Sequence, residues 1–226
     1  MENTTMENTR TKTTRNSLIL LLTAAIWGMA FVSQSKGMDY MHPFTFNGVR
    51  SLIGAASILV YILISRKIAG DKAAPLDWKL NVKAGLLCGI FLTIASTLQQ
   101  FGIKYTSVGK AGFITTLYII FVPMFGIFLK KKVAPVVWAA AVMAAVGMYL
   151  LCMTESLRLG AGDIMVFLCA IAFAIQIMTV DHYAARIDGA VVSCIQFTVC
   201  GVVCCIGALI WGQPTFGQLQ EGLGAL

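Results

Sequence analysis

One arginine stands inside a long apolar stretch. Arg50 lies seven residues past Pro43, roughly 10 Å along a helix at ~1.5 Å per residue. A cation in mid-membrane costs about 2.5–3.5 kcal/mol on insertion scales, so it must be paired, face water or reach the headgroups. Two roles fit Arg50: holding an anionic or zwitterionic solute, or clamping helix-end carbonyls or Asp39. Asn47, one turn earlier, shares its face. Other polar residues recur on apolar runs: Trp27 and Gln34, seven apart; Ser96, Gln99 and Gln100; Tyr118; Gln176; and Gln196. In lipid such groups turn inward and find partners, either a solute or the neighbouring helices. Asp181 and His182 stand together, and because histidine titrates near neutrality they are candidates for proton coupling or an interfacial pair. Pro123 leaves the carbonyl of residue 119 without a donor, which makes it a hinge or a static bend. Gly28, with Ala24, permits either close helix packing or flexing.

Other chemistry is poorly served. The two histidines, His42 and His182, fall on opposite sides of the membrane in the topology below, so a base–nucleophile pair has no material. The seven cysteines lie in apolar runs, with no CxxC and no histidine near them, which argues against a metal and for buried thiols. No nucleotide-binding signature occurs, and no cofactor is implied.

The elements that position these residues follow from composition. Of 226 residues 58% are hydrophobic and 12% charged, against about 25% charged in soluble domains. So small a soluble fold could not hide them all. Seven apolar runs occur, at 17–35, 44–65, 82–103, 108–129, 133–153, 163–180 and 190–212. Each approaches the ~20 residues a helix needs to cross a bilayer. The class is an all-α polytopic membrane protein. Residues 1–16, rich in Thr and Asn, read as a disordered cytoplasmic arm, and the first run as a retained span.

The net charge of +7 reads as a topology signal, not a nucleic-acid surface. With the N-terminus inside, the inner segments hold Arg10, Lys12, Arg15, Arg66, Lys67, Lys72, Lys79, Lys83, Lys130, Lys131, Lys132 and Arg186. The outer segments hold Lys36, Lys104, Lys110 and Arg158. The excess favours a cytoplasmic N-terminus in the cell membrane.

A shift of 146 residues aligns the chain with itself. Ala24 and Gly28 meet Ala170 and Ala174, Trp27 meets Phe173, Asn47 meets Ser193, and Arg50 meets Gln196. A unit of five spans is odd, so the second copy must lie inverted, a common transporter architecture. The expected organisation is a first five-helix repeat at 17–153 and the start of a second at 160–226. The third span would map onto 228–249, so three further helices are expected beyond Leu226, with Gly222–Leu226 as a lead-in.

Local motifs add a resemblance. Ala25-Ile26-Trp27-Gly28 stands in the first span, and Pro43-Phe44-Thr45-Phe46-Asn47-Gly48-Val49-Arg50 opens the second. Thr106-Ser107-Val108-Gly109-Lys110-Ala111-Gly112-Phe113-Ile114 and Val122-Pro123 mark the fourth, Val146-Gly147-Met148-Tyr149-Leu150-Leu151 the fifth, and Gly162-Asp163 opens the second repeat. In order and spacing these resemble the EamA-type transporters of the drug/metabolite transporter superfamily. Many relatives carry Gly-Glu after the fourth span, where this chain has Lys130-Lys131-Lys132-Val133. The resemblance implies two inverted five-helix repeats around a central cavity and alternating-access movement of a metabolite, amino acid or drug-like solute. It implies as partners the bilayer, a small molecule, and a proton or another coupling ion, with room for a homo-oligomer. An intramembrane enzyme or a structural membrane subunit is the alternative.

Overall fold

The computed structural model describes residues 2–70, 76–128, 133–152 and 160–212. All regular structure among them is helical. The helices are α1 (Glu2–Tyr40), α2 (Pro43–Ala69), α3 (Trp78–Tyr105), α4 (Val108–Thr116), α5 (Tyr118–Phe128), α6 (Pro135–Cys152), α7 (Ala161–Tyr183) and α8 (Gly189–Gly207). A 3₁₀ turn, Ala184–Arg186, extends α7, and a π turn, Ala208–Gly212, extends α8.

The helices make seven passes, of which six are long and apolar enough to cross a membrane. Pass four, Val108–Phe128, comprises α4 and α5. The fifth expected span, α6, has 18 residues, and its Pro135–Gly147 stretch falls short of the others. α1 reaches back to Glu2, through the stretch read above as a cytoplasmic arm. Extending a helix already nucleated by its apolar part costs far less than starting one, so even a Thr/Asn-rich segment can join it. Lys130–Lys132, assigned above to an inner loop, and Gly222–Leu226, assigned to a lead-in, lie outside the described residues.

Local chemistry sets the helix boundaries. His42 caps α2, with Pro43 in the first turn where a missing N–H costs nothing. At its other end Gly70 adopts φ 52°, and its N–H donates to the Arg66 carbonyl. Asp77 caps α3 through the Leu80 N–H at 3.1 Å. Asp188 caps α8 through the N–H groups of Ala190 and Val191, at 3.0 and 3.3 Å. Exposed Tyr105 at one end of α3 and exposed Trp78 at the other match the aromatic belts of a bilayer.

α3 is the hub, packing along α7 on one side and α8 on another, while α2 packs along α8. These contacts rely on small residues. Gly162 on α7 sits so close to α3 that an added Cβ would stand 2.8 Å from the Gly102 carbonyl oxygen. Gly201 on α8 would meet the Leu52 side chain of α2 at 2.7 Å. Ala170 and Ala174 are fully buried, and Gly85 and Gly89 face Ile195 and Val199. Gly28 behaves differently: nothing lies within 4 Å of an added Cβ there. α1 touches the rest of the chain mainly in its C-terminal third, through Phe31, Gln34 and Gly37.

The 146-residue shift carries Tyr40, the end of α1, onto Arg186, the end of the 3₁₀ turn after α7. It also carries Pro43 onto Gly189, the first residues of α2 and α8, and the cap His42 onto the cap Asp188.

Candidate functional site

Several of the polar residues inside the spans bond across helices. Asn47, fully buried, donates from Nδ2 to the Ser96 carbonyl of α3 at 2.9 Å. Its Oδ1 accepts from Arg50 Nη2 at 3.1 Å. The Arg50 guanidinium also lies over the Phe46 ring, 5.5 Å from its centroid, a cation–π contact. Among the described residues the ion pairs are Arg66–Asp188 at 3.5 Å and Lys110–Asp163 at 3.7 Å, and Arg50 is in neither. Beneath this pair, Cys200 of α8 receives the Ser51 hydroxyl at 3.4 Å and lies 3.4 Å from that of Ser96. Among the described residues Arg50 thus meets the Asn47 side-chain oxygen and the Phe46 ring and joins neither ion pair.

The glutamines form three further links. Gln99 Nε2 donates to Thr115 Oγ1 at 3.2 Å, tying α3 to α4. Gln100 Nε2 donates to the Gln34 carbonyl at 3.2 Å, tying α3 to α1. Gln176 Nε2 donates to Gln196 Oε1 at 3.0 Å, tying α7 to α8. The buried side-chain oxygens of Gln34 and Gln100 have no hydrogen-bond partner among the described residues. Buried amide oxygens left this way cost about 1–3 kcal/mol each.

The remaining candidates line cavities. One cavity of about 540 Å³ is walled by Tyr118, Val122, Pro123 and Gly126 of the fourth pass, with Met178 and Asp181 of α7. A second, of about 590 Å³, lies between α1 and α4 and is walled by Trp27, Gly28, Phe31, Gly112 and Tyr118. A third, of about 540 Å³, is apolar and includes Phe125, Met178, His182 and Tyr183. Tyr118 borders both of the first two cavities. Asp181 and His182, adjacent in sequence, face different cavities.

The fourth pass breaks at Leu117, immediately before Tyr118 and six residues before Pro123. There the backbone tightens: Leu117 N–H donates to the Ile114 carbonyl, and Ile120 N–H to that of Leu117. Proline's missing donor and its ring act on the preceding turn, and the distortion emerges one half-turn further back. α1 runs through Gly28 without interruption.

Several contributors carry little signal in the sequence. Ser51, Thr115 and Cys200 look like ordinary small residues of apolar helices, and only the crossing brings Ser51 and Cys200 to Ser96 and Thr115 to Gln99. Asp163 at the start of α7 accepts from the Thr106 hydroxyl and the Gly160 N–H besides pairing with Lys110, so it ties the α3–α4 corner to α7. The described residues contain no group of three or more His, Cys, Asp or Glu placed to hold a metal ion.

The EamA-like transporter family model matches residues 15–153. A protein of Archaeoglobus fulgidus, described as an uncharacterized transporter, is 31% identical over 171 residues, covering 73% of this chain and 48% of the relative. The chain thus spans about half the length of that relative. No solved structure matches it. A polytopic helical membrane protein with buried interhelical polar links and a broken fourth pass, matched over most of its length by this family, is a member of the EamA-like transporter family.

Proposed function

We propose that the chain forms the cavity-bearing part of a secondary transporter. It would move a small metabolite, amino acid or drug-like solute across the cell membrane by alternating access, with its N-terminus in the cytoplasm. The observation that carries this reading is the broken fourth pass, whose Tyr118 borders two cavities of about 540 and 590 Å³. A helix already interrupted beside a cavity can swing half its length without losing a complete ladder of hydrogen bonds. The two repeats, 17–153 and 160–226, would supply the rocking halves. Arg50, with Asn47, would hold the anionic end of a solute. The polar set of Gln34, Gln99, Gln100, Gln176 and Gln196 would line the route as the helices part, with Trp27 at its edge. Asp181 and His182 are the candidates for coupling to a proton.

Proteoliposomes carrying the protein test this reading against empty ones, with a panel of labelled amino acids and organic acids. Uptake of at least one solute above background is expected. The Arg50→Gln variant should insert normally yet lose uptake of an acidic solute at least tenfold. Absence of protein-dependent flux for the entire panel, in either direction, would overturn the proposal.

A further inference from the structure

Two helices that pack side by side start from pseudo-equivalent positions with different caps. α8 is capped by the Asp188 carboxylate, whereas α2 is capped by His42 Nδ1, which accepts the Phe44 N–H at 3.4 Å. Pro43 has no N–H, so Phe44 carries the first donor α2 can offer. For Nδ1 to accept, it must bear a lone pair, and the ring proton must sit on Nε2. A carboxylate cap keeps its acceptor throughout the physiological range. An imidazole cap does not, since its ordinary pKa is about 6.5.

Burial and a neighbouring cation oppose the charged ring. Partial burial and the Lys104 ammonium both hold its pKa below the ordinary value, burial being the larger cause. A positive ring would also sit at the positive end of the α2 dipole. Among the described residues, the charged groups nearby on packed elements are Lys104 on α3 and Lys36 and Asp39 near the end of α1; the Ala208–Gly212 turn brings none. Its other neighbours are aromatic. The ring stacks on Phe44 at 5.7 Å and meets the edge of Phe101 at 5.7 Å, while Trp211 stacks on Phe44. Gly212 lies so close that an added Cβ would be 3.2 Å from the His42 Cβ. The cap is therefore also where the end of the α8 pass meets the start of α2.

We propose that His42 is a proton-binding site on the outer face of this protein, and that a proton taken up at Nδ1 uncaps α2 and loosens its seam with the α8 pass. The proton comes from water, the Phe44 N–H···Nδ1 bond breaks, and Phe44 N–H is left to solvent. Placement on the outer face rests on the orientation proposed above; the protonation chemistry does not. Acid on that face would release one end of α2, while the Asp188 end of α8 stays capped.

The sign is that of a base held neutral by the fold. The cap stabilises fully above about pH 6.5 and is lost as pH falls through the lower folded value. Nitrogen-15 NMR of the histidines of the full chain in nanodiscs reads this directly, with His42→Asn to assign the signal. We expect an Nε2–H tautomer at pH 7.5 and a midpoint below 6.5. Hydrogen-exchange protection of residues 44–47, corrected for intrinsic rates, should fall about fivefold between pH 7.5 and 5, as one lost cap predicts. In His42→Asn, whose amide oxygen caps without titrating, it should stay flat. An Nδ1–H tautomer, a midpoint at or above 6.5, or equal loss in His42→Asn would overturn the proposal. A Lys36→Cys variant labelled only from the cytoplasmic side would overturn the orientation and leave the cap standing.

Discussion

At the scale of single residues, burial separates two kinds of polar group. Asn47 is wholly enclosed and satisfied at both ends, by the Ser96 carbonyl and by Arg50. Interhelical bonds in membranes are worth roughly 0.6 kcal/mol on average and up to about 1.7. Replacing Asn47 by Leu removes one such bond and strips Arg50 of its acceptor, so the loss should reach the upper end of that range, about 1.7 kcal/mol. Gln176→Ala, which breaks a half-buried pair with Gln196, should cost nearer 0.6 kcal/mol, by order of magnitude. Unfolding of both variants in mixed micelles checks the order; an equal cost would deny Arg50 its dependence on Asn47. That these residues face inward is legible in the sequence, because polar groups on apolar helices have nowhere else to go. Their partners are not. Gln99 finds Thr115 sixteen positions away, but Gln100 reaches Gln34 across sixty-six, and no periodicity encodes that meeting.

Glycines and one proline govern the elements. Gly162 and Gly28 are both glycines of apolar helices, and the sequence does not rank them. The structure sets them apart, since a Cβ at Gly162 would strike the backbone of α3 and one at Gly28 would meet nothing. Gly162→Ala should therefore lower the thermal midpoint by several degrees, while Gly28→Ala should leave stability within about 0.5 kcal/mol, as at any open site. A measured midpoint that fell equally for both would mean that α1 has a partner along this face. The fourth pass is the other element that the sequence reveals only in part. Pro123 announces a defect but not its place, because the lost bond at residue 119 is absorbed further back, at Leu117. Pro123→Ala restores the missing donor. We expect it to raise stability and to slow turnover in the proteoliposome assay, by severalfold; an unchanged rate would make the break a static bend.

At the scale of the whole molecule, hydropathy locates the passes to within a few residues, and caps such as Asp77 and Asp188 explain where the helices overrun the apolar runs. Hydropathy cannot say which passes touch. α3 became the hub through glycines matched to the side chains of α7 and α8, a fit that exists only in three dimensions.

α1 stands at the opposite extreme. Through most of its apolar length, from Leu18 to Met29, it is exposed and held by little but the lipid around it. A helix kept in place by its solvent has no memory of its neighbours. Drawn out of a bilayer by an atomic-force cantilever from the N-terminus, this segment should come away in an early step at low force, with the α2–α3–α7–α8 bundle yielding later and harder.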